Sequence, residues 1–325
     1  LTPTLADIAR AATTSISTAS RVLSGGAAAA RISQQTRERV ESTARQLGYQ
    51  PNLLARSLRT RRTHTAALLV SDIANPWFGR LASLIEQALH RGGYSLMLCN
   101  SGEDESLERE YLQLLPRKGI DGLILVPLIR SQDELLRLLS GRLPLVVLDR
   151  PIAGIPSVAG DAAQAAQLLC DRLAASHARR VGVVAGPTHI VSHRQRLDAV
   201  SRRFEVVKVC EGPAQPETGR RAAEAFRGLK LDAVVCTNNF LGHGYLEAMG
   251  ESCGCVACFD EIAMMDLLAT PLLCCMQDVP RLAEESVRML LSQLSETGAP
   301  LPVASPLLLP SRVVCNRAFD RWVQR

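Results

Sequence analysis

From residue 65 onward the chain alternates short apolar runs with amphipathic segments, and few architectures satisfy such a pattern. Residues 66–70, 95–99, 122–126 and 145–148 read as strands, followed by 181–185, 206–210, 233–237, 256–259 and 273–276, with helices between them. A long helix is expected at residues 281–294, after the last of these strands. So many βα repeats over about 250 residues imply two doubly wound α/β lobes, because each crossover helix must cover a face of a mostly parallel sheet. In such sheets a ligand binds at the carboxyl ends of the strands.

The first sixty-odd residues follow a different rule. Thr4 and Asp7 form a capping-box start, and Leu5, Ile8, Ala9 and Ala12 recur at helical spacing. Ser15 can cap a second helix whose buried stripe is Ala19, Val22 and Leu23, leaving Ile16, Ser17, Ser20 and Arg21 on other faces. A loop of Gly25, Gly26 and four alanines precedes a third helix, capped at Ser33, with Val40, Ala44 and Leu47 on one face and Gly48 as its stop. Residues 1–62 hold ten Arg and no Lys against Asp7, Glu38 and Glu41, a net +7, whereas residues 63–325 hold 27 basic and 29 acidic side chains, a net −2. A positive three-helix module on a near-neutral body is the electrostatic footprint of phosphate binding, and helix-turn-helix spacing points that footprint at DNA.

At 325 residues, 47% of them hydrophobic, the chain exceeds one ordinary core and calls for two or three domains. No cationic start leads into an apolar h-region, and no apolar run approaches the roughly 20 residues of a membrane helix, so the expected setting is the cytoplasm, at the nucleoid when DNA is bound. Ten Cys in a long chain without a secretion signal, most of them in strand-like runs, read as reduced core thiols. The cluster Cys253, Cys255, Cys258, Cys274 and Cys275 lacks the paired spacing of a zinc ribbon, and structural core is its main reading, with redox sensing or metal binding as the alternative. No cofactor is implied. A sugar enzyme of the kinase type would need a phosphate-cradling loop, which Gly92-Gly93 and residues 182–186 do not supply. A sugar-binding transport receptor would leave the basic module without a purpose.

Several motifs then meet in one chain: Asp7-Ile8-Ala9-Arg10, Thr18-Ala19-Ser20-Arg21-Val22-Leu23, Leu47-Gly48-Tyr49-Gln50-Pro51-Asn52, Ala55-Arg56-Ser57-Leu58, Asn75-Pro76-Trp77-Phe78, Asp121-Gly122-Leu123-Ile124, Leu148-Asp149-Arg150 and Phe259-Asp260-Glu261. On these residues the chain resembles, end to end, the LacI/GalR bacterial transcription regulators. Arg31-Ile32-Ser33, Ser17-Thr18-Ala19-Ser20 and Asp149-Arg150 look most like the fructose and sucrose repressor branch. Two departures stand out. Thr13-Thr14 occupies the turn where the family usually carries Gly-Val, and residues 25–30 lack the Lys and aromatic residues of the fructose branch.

The resemblance implies a headpiece at residues 1–49, a hinge helix or linker at 50–62 and an effector-binding, dimerising body at 63–325. Lobe one would span about 63–160 plus 279–306, and lobe two about 161–278 plus 307–325. By family position the base readers are Ile16, Ser17 and Arg21, while Thr4, Ser15, Thr18, Ser33 and Asn52 suit capping or phosphate contact. For Ile16 a place in the headpiece core is the alternative. Ala55 and Leu58 fall in the hinge segment, where Leu58 takes the position of a minor-groove wedge or packs as an ordinary linker residue. For the effector the resemblance implies Asp149, Arg150, His193, Arg194, Asn238, Asp260 and Gln277 as the polar set, with Trp77 and Phe78 as apolar walls. A phosphorylated sugar would place its phosphate first on Arg194, with Arg150 and His193 behind it, and Asp149 with Arg150 has a strand-end cap or salt bridge as the alternative. The expected function is a homodimeric repressor of carbohydrate genes, released from a pseudo-palindromic operator in duplex DNA by a sugar or sugar phosphate. A purine, nucleoside or other effector, or co-repression, is the alternative. The tail after Pro310 carries no leucine heptads, which argues against a coiled-coil tetramer.

Overall fold

Thr4 opens helix α1 (Leu5–Ala11) with a complete capping box: its hydroxyl accepts from the Asp7 N–H, and the Asp7 carboxylate accepts from the Thr4 N–H at 2.9 Å. In this computed structural model the residues described are 3–24, 27–50, 62–139, 143–250, 254–295 and 305–324. They form two units, Leu1–Thr63 and His64–Arg325. The hinge positions Asn52, Ala55 and Leu58 lie outside the described residues.

In the first unit, α1 is followed by α2 (Ile16–Ser24), α3 (Ala27–Ala30) and α4 (Gln34–Gln46). Ile8, Ala9 and Ala12 pack with Ala19 and Val22 of α2 and with Val40 and Ala44 of α4, as the spacing of those positions requires. Two expectations change here. The alanines at 27–30 form a short helix rather than a loop, since alanine has the highest helix propensity of all residues. Leu47 does not share the buried face of Val40 and Ala44: it is the C-cap of α4, 43% exposed, where Gly48 at φ 64° turns the chain away.

The second unit contains two mostly parallel sheets. In the first, the strands are β1 (Thr65–Val70), β2 (Ser95–Asn100), β3 (Gly122–Leu125), β4 (Leu145–Leu148), β5 (Ser157–Gly160) and β11 (Leu307–Leu309), in the order β11-β5-β4-β3-β1-β2. The second has β6 (Arg180–Ala185), β7 (Glu205–Glu211), β8 (Ala233–Cys236), β9 (Cys255–Phe259), β10 (Leu272–Gln277) and β12 (Ser311–Cys315), in the order β12-β10-β9-β8-β6-β7. Five strands in each sheet follow the same winding, so β4 and β9 are equivalent, as are β5 and β10. Only the added edge differs: β11 is parallel to β5, and β12 is antiparallel to β10.

Helices α5 (Pro76–Arg91) and α12 (Val279–Ser295) cover one face of the first sheet, while α6 (Glu105–Arg117) and α7 (Gln132–Leu138) flank the other. Around the second sheet lie α8 (Ala162–Ala174), α9 (Val191–Arg203), α10 (Pro216–Phe226), α11 (Asn239–Met249) and α13 (Arg317–Val323). The chain passes between lobes after Gly160, after Gln277 and again after Leu309. The last passage corrects the expected start of the final lobe-two segment at 307, because Leu307–Leu309 pairs with β5 of lobe one. Of the clustered cysteines, Cys253 lies outside the described residues, and the other four separate by strand parity. Cys258 and Cys274 are neighbours on one face together with Cys236, whereas Cys255 and Cys275 point to the opposite core with Cys170. All of these are buried, and burial pushes the Cys258 thiol well above its ordinary range while it donates to the Asn238 carbonyl at 3.1 Å.

Candidate functional site

In the first unit the outer face of α2 is polar and open. Ser15, Ile16, Ser17 and Arg21 are exposed and Thr18 is half-buried, while Ala19 and Val22 on the other side are in the core. Ile16, at 54% exposure, is therefore not a core residue of this unit. The Ser15 hydroxyl accepts from the Thr18 N–H at 3.1 Å and lies 2.8 Å from Thr18 Oγ1 and 2.9 Å from Ser17 Oγ, which ties three hydroxyls to the start of the helix. Ser33 caps α4 through the Thr36 N–H, and Thr4 caps α1.

Between α1 and α2 the chain makes a Schellman turn: the Thr13 N–H donates to Arg10 O at 3.2 Å and the Thr14 N–H to Ala9 O at 2.9 Å. Thr13 sits at the left-handed position of that turn with φ 48°. Glycine normally occupies such a position, and a β-branched residue there is strained.

In the second unit, a cavity of ≈ 260 Å³ opens at the carboxyl ends of both sheets. Eight of the nine side chains expected around an effector line it, with Arg194 missing. Asp149 follows β4 and Asp260 follows β9 directly, and both are held at left-handed φ, 67° and 68°. Gln277 ends β10 and donates through Nε2 to Asp260 Oδ1 at 3.0 Å. Trp77 and Phe78, on the first turn of α5, meet edge to face with centroids 4.8 Å apart. Asn238 lines the cavity while its Oδ1 caps α11 through the Leu241 N–H.

The charges are tightly arranged. Arg150 pairs with Glu103 at 2.9 Å, a partner other than the Asp149 beside it, and it lines the cavity as well. Burial, reinforced by the nearby Asp260 carboxylate, pushes the Asp149 carboxyl above its ordinary range despite Arg150. Burial and the neighbouring guanidiniums of Arg196 and Arg150 depress His193 to about 3, so its ring is neutral.

Arg194 is exposed and lies outside the cavity. Its place is taken by Arg196. Helix α9 turns His193, Arg196 and Val200 inward, and this three-and-four spacing is the signal that distinguishes one arginine from the other. Arg196 donates to the Thr237 carbonyl at 2.7 Å, lies 3.6 Å from Asp260 Oδ2 and stacks 4.6 Å above the Phe259 ring. The sequence reading also missed Asn75 and Asn239, which cap or begin α5 and α11. Their amides exchange two hydrogen bonds across the lobes, at 3.1 and 3.0 Å, a pairing that only tertiary geometry reveals.

Three buried polar atoms around the cavity lack a partner: Trp77 Nε1, Arg196 Nε and Gln277 Oε1. Buried donors and acceptors are almost always satisfied, and Gln277 Oε1 is turned toward Gly160. An adjoining space of ≈ 440 Å³, walled by Ile152, Ala159 and Val191, shares Asp149 and Arg150 with the first. Among the described residues no helix is long and apolar enough to cross a membrane.

Residues 4–52 match the family model described as "Bacterial regulatory proteins, lacI family", and residues 63–282 match "Periplasmic binding proteins and sugar binding domain of LacI family". The chain is 30% identical to the ribose operon repressor of Bacillus subtilis (strain 168), over 92% of this chain and 96% of that protein. It is 31% identical to the HTH-type transcriptional regulator PtxS of Pseudomonas plecoglossicida, over 92% and 91% respectively. Its fold is similar to that of a lac repressor dimer bound to operator and the anti-inducer ONPF, with a TM-score of 0.85 and 22% identity over 98% of this chain and 99% of that one.

Proposed function

The chain belongs to the LacI family of bacterial DNA-binding repressors, and from that premise we propose that it leaves its operator when a small carbohydrate occupies the cleft between the lobes of its second unit. It is a regulator, not an enzyme. The observation that carries the effector reading is the convergence of Trp77, Phe78, Arg196 and Gln277 with the carboxylates of Asp149 and Asp260 on one cavity at the carboxyl ends of the strands. Carboxylate and guanidinium groups hold hydroxyls by charge-assisted bonds, and an aromatic wall covers the C–H face of a ring.

On the DNA side, Arg21 donates to a guanine edge in the major groove, with Ile16 against a thymine methyl and Ser17 beside them. Ser15, Thr18, Thr4 and Ser33 hold helix starts and phosphates, and the segment containing Asn52, Ala55 and Leu58 supplies the hinge. Two copies read a pseudo-palindromic operator in the cytoplasm, because one headpiece makes few base contacts. An effector changes operator affinity only through its unequal affinity for two lobe arrangements. An uncharged nucleobase is the second reading, favoured by Phe240 joining Trp77 and Phe78 on the cavity wall.

Selection of bound duplexes from genomic fragments, followed by gel-shift titration with sugars, tests the proposal. Release of the selected duplex by a sugar is expected. Tighter binding on addition would make the ligand a corepressor, and no preference over random duplex would end the account.

A further inference from the structure

Strand β1 ends at the cavity and begins where the chain enters the second unit. Beyond Val70 come Ser71, whose Oγ accepts from Arg150 at 3.4 Å, and Asp72, which lines the cavity. Residues 66–70 are fully buried and the strand is paired with β2 on one side and β3 on the other, so it moves only with its whole lobe. Its six residues set the two ends about 20 Å apart.

The entry is tied down on every side. His64, the residue before β1, adopts a left-handed backbone angle, φ 53°, and its N–H donates to Asp121 Oδ2 at 2.8 Å. Its carbonyl accepts the Ser95 N–H at 2.8 Å, and its ring packs on that of Tyr94 with centroids 5.4 Å apart. The Asp121 N–H donates in turn to the Thr65 carbonyl at 2.8 Å. The carboxylate therefore holds the kink itself, through a charge-assisted bond stronger than an ordinary backbone one.

Lobe two repeats this strap in a different setting. Asp232, at the equivalent place before β8, accepts the N–H groups of Arg179 and Arg180, both at 2.8 Å, and donates to the Arg180 carbonyl at 2.8 Å. The Arg179 carbonyl accepts the Glu205 N–H at 2.9 Å, as that of His64 accepts the Ser95 N–H. What precedes each strap differs. Strand β6 follows α8 of its own lobe, whereas β1 follows residues 50–62, and His64 is the first residue of the second unit. A device that only starts a strand in lobe two also fixes, in lobe one, the direction in which the chain departs toward the headpiece.

We infer that Asp121 is a positioning residue for operator recognition: it pins the root of the linker to lobe one, so that lobe one dictates the half-site spacing the dimer accepts. This rests on reading residues 50–62 as the link to a DNA-reading unit.

The test is fluorescence anisotropy of the full chain with the palindromic duplex that wild type selects, the same duplex lengthened by one central base pair, and a scrambled duplex. Wild type is expected to lose about a hundredfold on lengthening, because half-site spacing is a geometric match. Asp121→Ala binds the selected duplex about tenfold more weakly, binds scrambled duplex as wild type does, and loses no more than about tenfold on lengthening. Asp121→Asn, which keeps an acceptor oxygen for the His64 N–H, restores both values to within about threefold. Asp232→Ala removes the equivalent strap and leaves the ratio between the two duplexes as in wild type. That ratio does not depend on the folded fraction, so destabilisation alone does not change it. Insertion of two glycines between Thr63 and His64 loosens the same root with Asp121 intact and is expected to relax the ratio likewise, which keeps the test decisive if Asp121→Ala does not fold. The proposal is overturned by a wild-type ratio in Asp121→Ala or in the glycine insertion, by an equal change in Asp232→Ala, or by an Asp121→Asn that restores nothing. A wild type indifferent to the added base pair overturns it together with the reading of a two-headed dimer, whereas a discriminating wild type matched by Asp121→Ala removes only the role of Asp121.

Discussion

Asp149 and Asp260 occupy equivalent positions in the two lobes, one residue beyond strands β4 and β9, and both adopt left-handed backbone angles, φ 67° and 68°. Few residues other than glycine tolerate this conformation, and aspartate is among the more tolerant. At each site the turn brings a carboxylate to the mouth of its sheet, where strand ends converge on a ligand. Their surroundings nevertheless differ. Asp260 has Arg196 at 3.6 Å and the Gln277 amide at 3.0 Å, whereas Asp149 is next to an arginine whose short ion pair is with Glu103. One carboxylate is well compensated; the other is kept ready at a cost.

That cost is measurable through pH. Because burial raises the folded-state pKa of Asp149 above its unfolded value, the folded protein binds this proton more readily, and the associated stability is lost as pH rises through the folded pKa. Asparagine has the same shape and tolerates the same backbone angle but carries no charge. Asp149→Asn is therefore expected to melt higher at neutral pH, by about 1 kcal/mol or roughly 2–4 °C for a unit of this size. The advantage shrinks as the medium is made acidic and wild-type Asp149 takes up its proton. Thermal denaturation of both proteins across that range is the check, and an advantage that grows with acidification would refute the assignment.

Arg196 and Arg194 offer a sharper contrast, being two residues apart on one helix and facing opposite environments. Arg196→Ala removes the partner of Asp260 and the donor to Thr237, so effector affinity is expected to fall about tenfold to a hundredfold, the range for a charge-assisted hydrogen bond. Arg194→Ala is expected to leave effector affinity unchanged. Calorimetric titration of both variants with an effector identified for wild type decides, and equal losses would place Arg194 back in the cleft.

The same pair shows what a linear sequence conveys here. Seven of the nine strands could be read because runs of mostly apolar residues must be buried on both faces, and the half-open edge strands β2 and β7 because their short apolar runs stand between helical segments. The run Ser157–Gly160 was not legible, since serine, alanine and glycine carry no strong strand signal, and β11 and β12 are short edge strands whose pairing depends on distant partners. Asp149, Asp260 and Gln277 were legible through family position. Arg196 was not, because neighbouring arginines look alike until the helix phase set by His193 and Val200 is used. Thr237 becomes visible only when β6, β8 and α9 of the second lobe are brought together, and the Asn75–Asn239 amide pair only when the two lobes are.

Thr13 is a place where sequence and backbone disagree. A β-branched residue at φ 48° costs about 1–2 kcal/mol, whereas glycine would lose roughly 0.4–1 kcal/mol more entropy on folding. Strain outweighs entropy, so Thr13→Gly is expected to stabilise the first unit by about 0.5–1 kcal/mol. Slower amide hydrogen exchange in α1 and α2 of the variant would show it, and faster exchange would mean that Thr13 makes a compensating contact.

Arg21 sits on the open face of α2, where it can serve either a base edge or a phosphate, and the two roles leave different signatures. A bidentate bond to guanine is worth about 1–3 kcal/mol of discrimination and disappears on scrambled duplex, whereas a phosphate contact contributes equally to every sequence and releases about one counterion. Arg21→Ala should therefore weaken binding to a selected operator by about tenfold to a hundredfold while changing scrambled-duplex affinity little. The slope of log affinity against log salt should be almost unaltered, because the other arginines of the basic first unit still neutralise phosphates. Fluorescence anisotropy at several salt concentrations separates the cases. Equal losses on both duplexes with a slope reduced by about one would move Arg21 to the phosphate backbone and leave Ile16 and Ser17 as the side chains of α2 still able to read sequence.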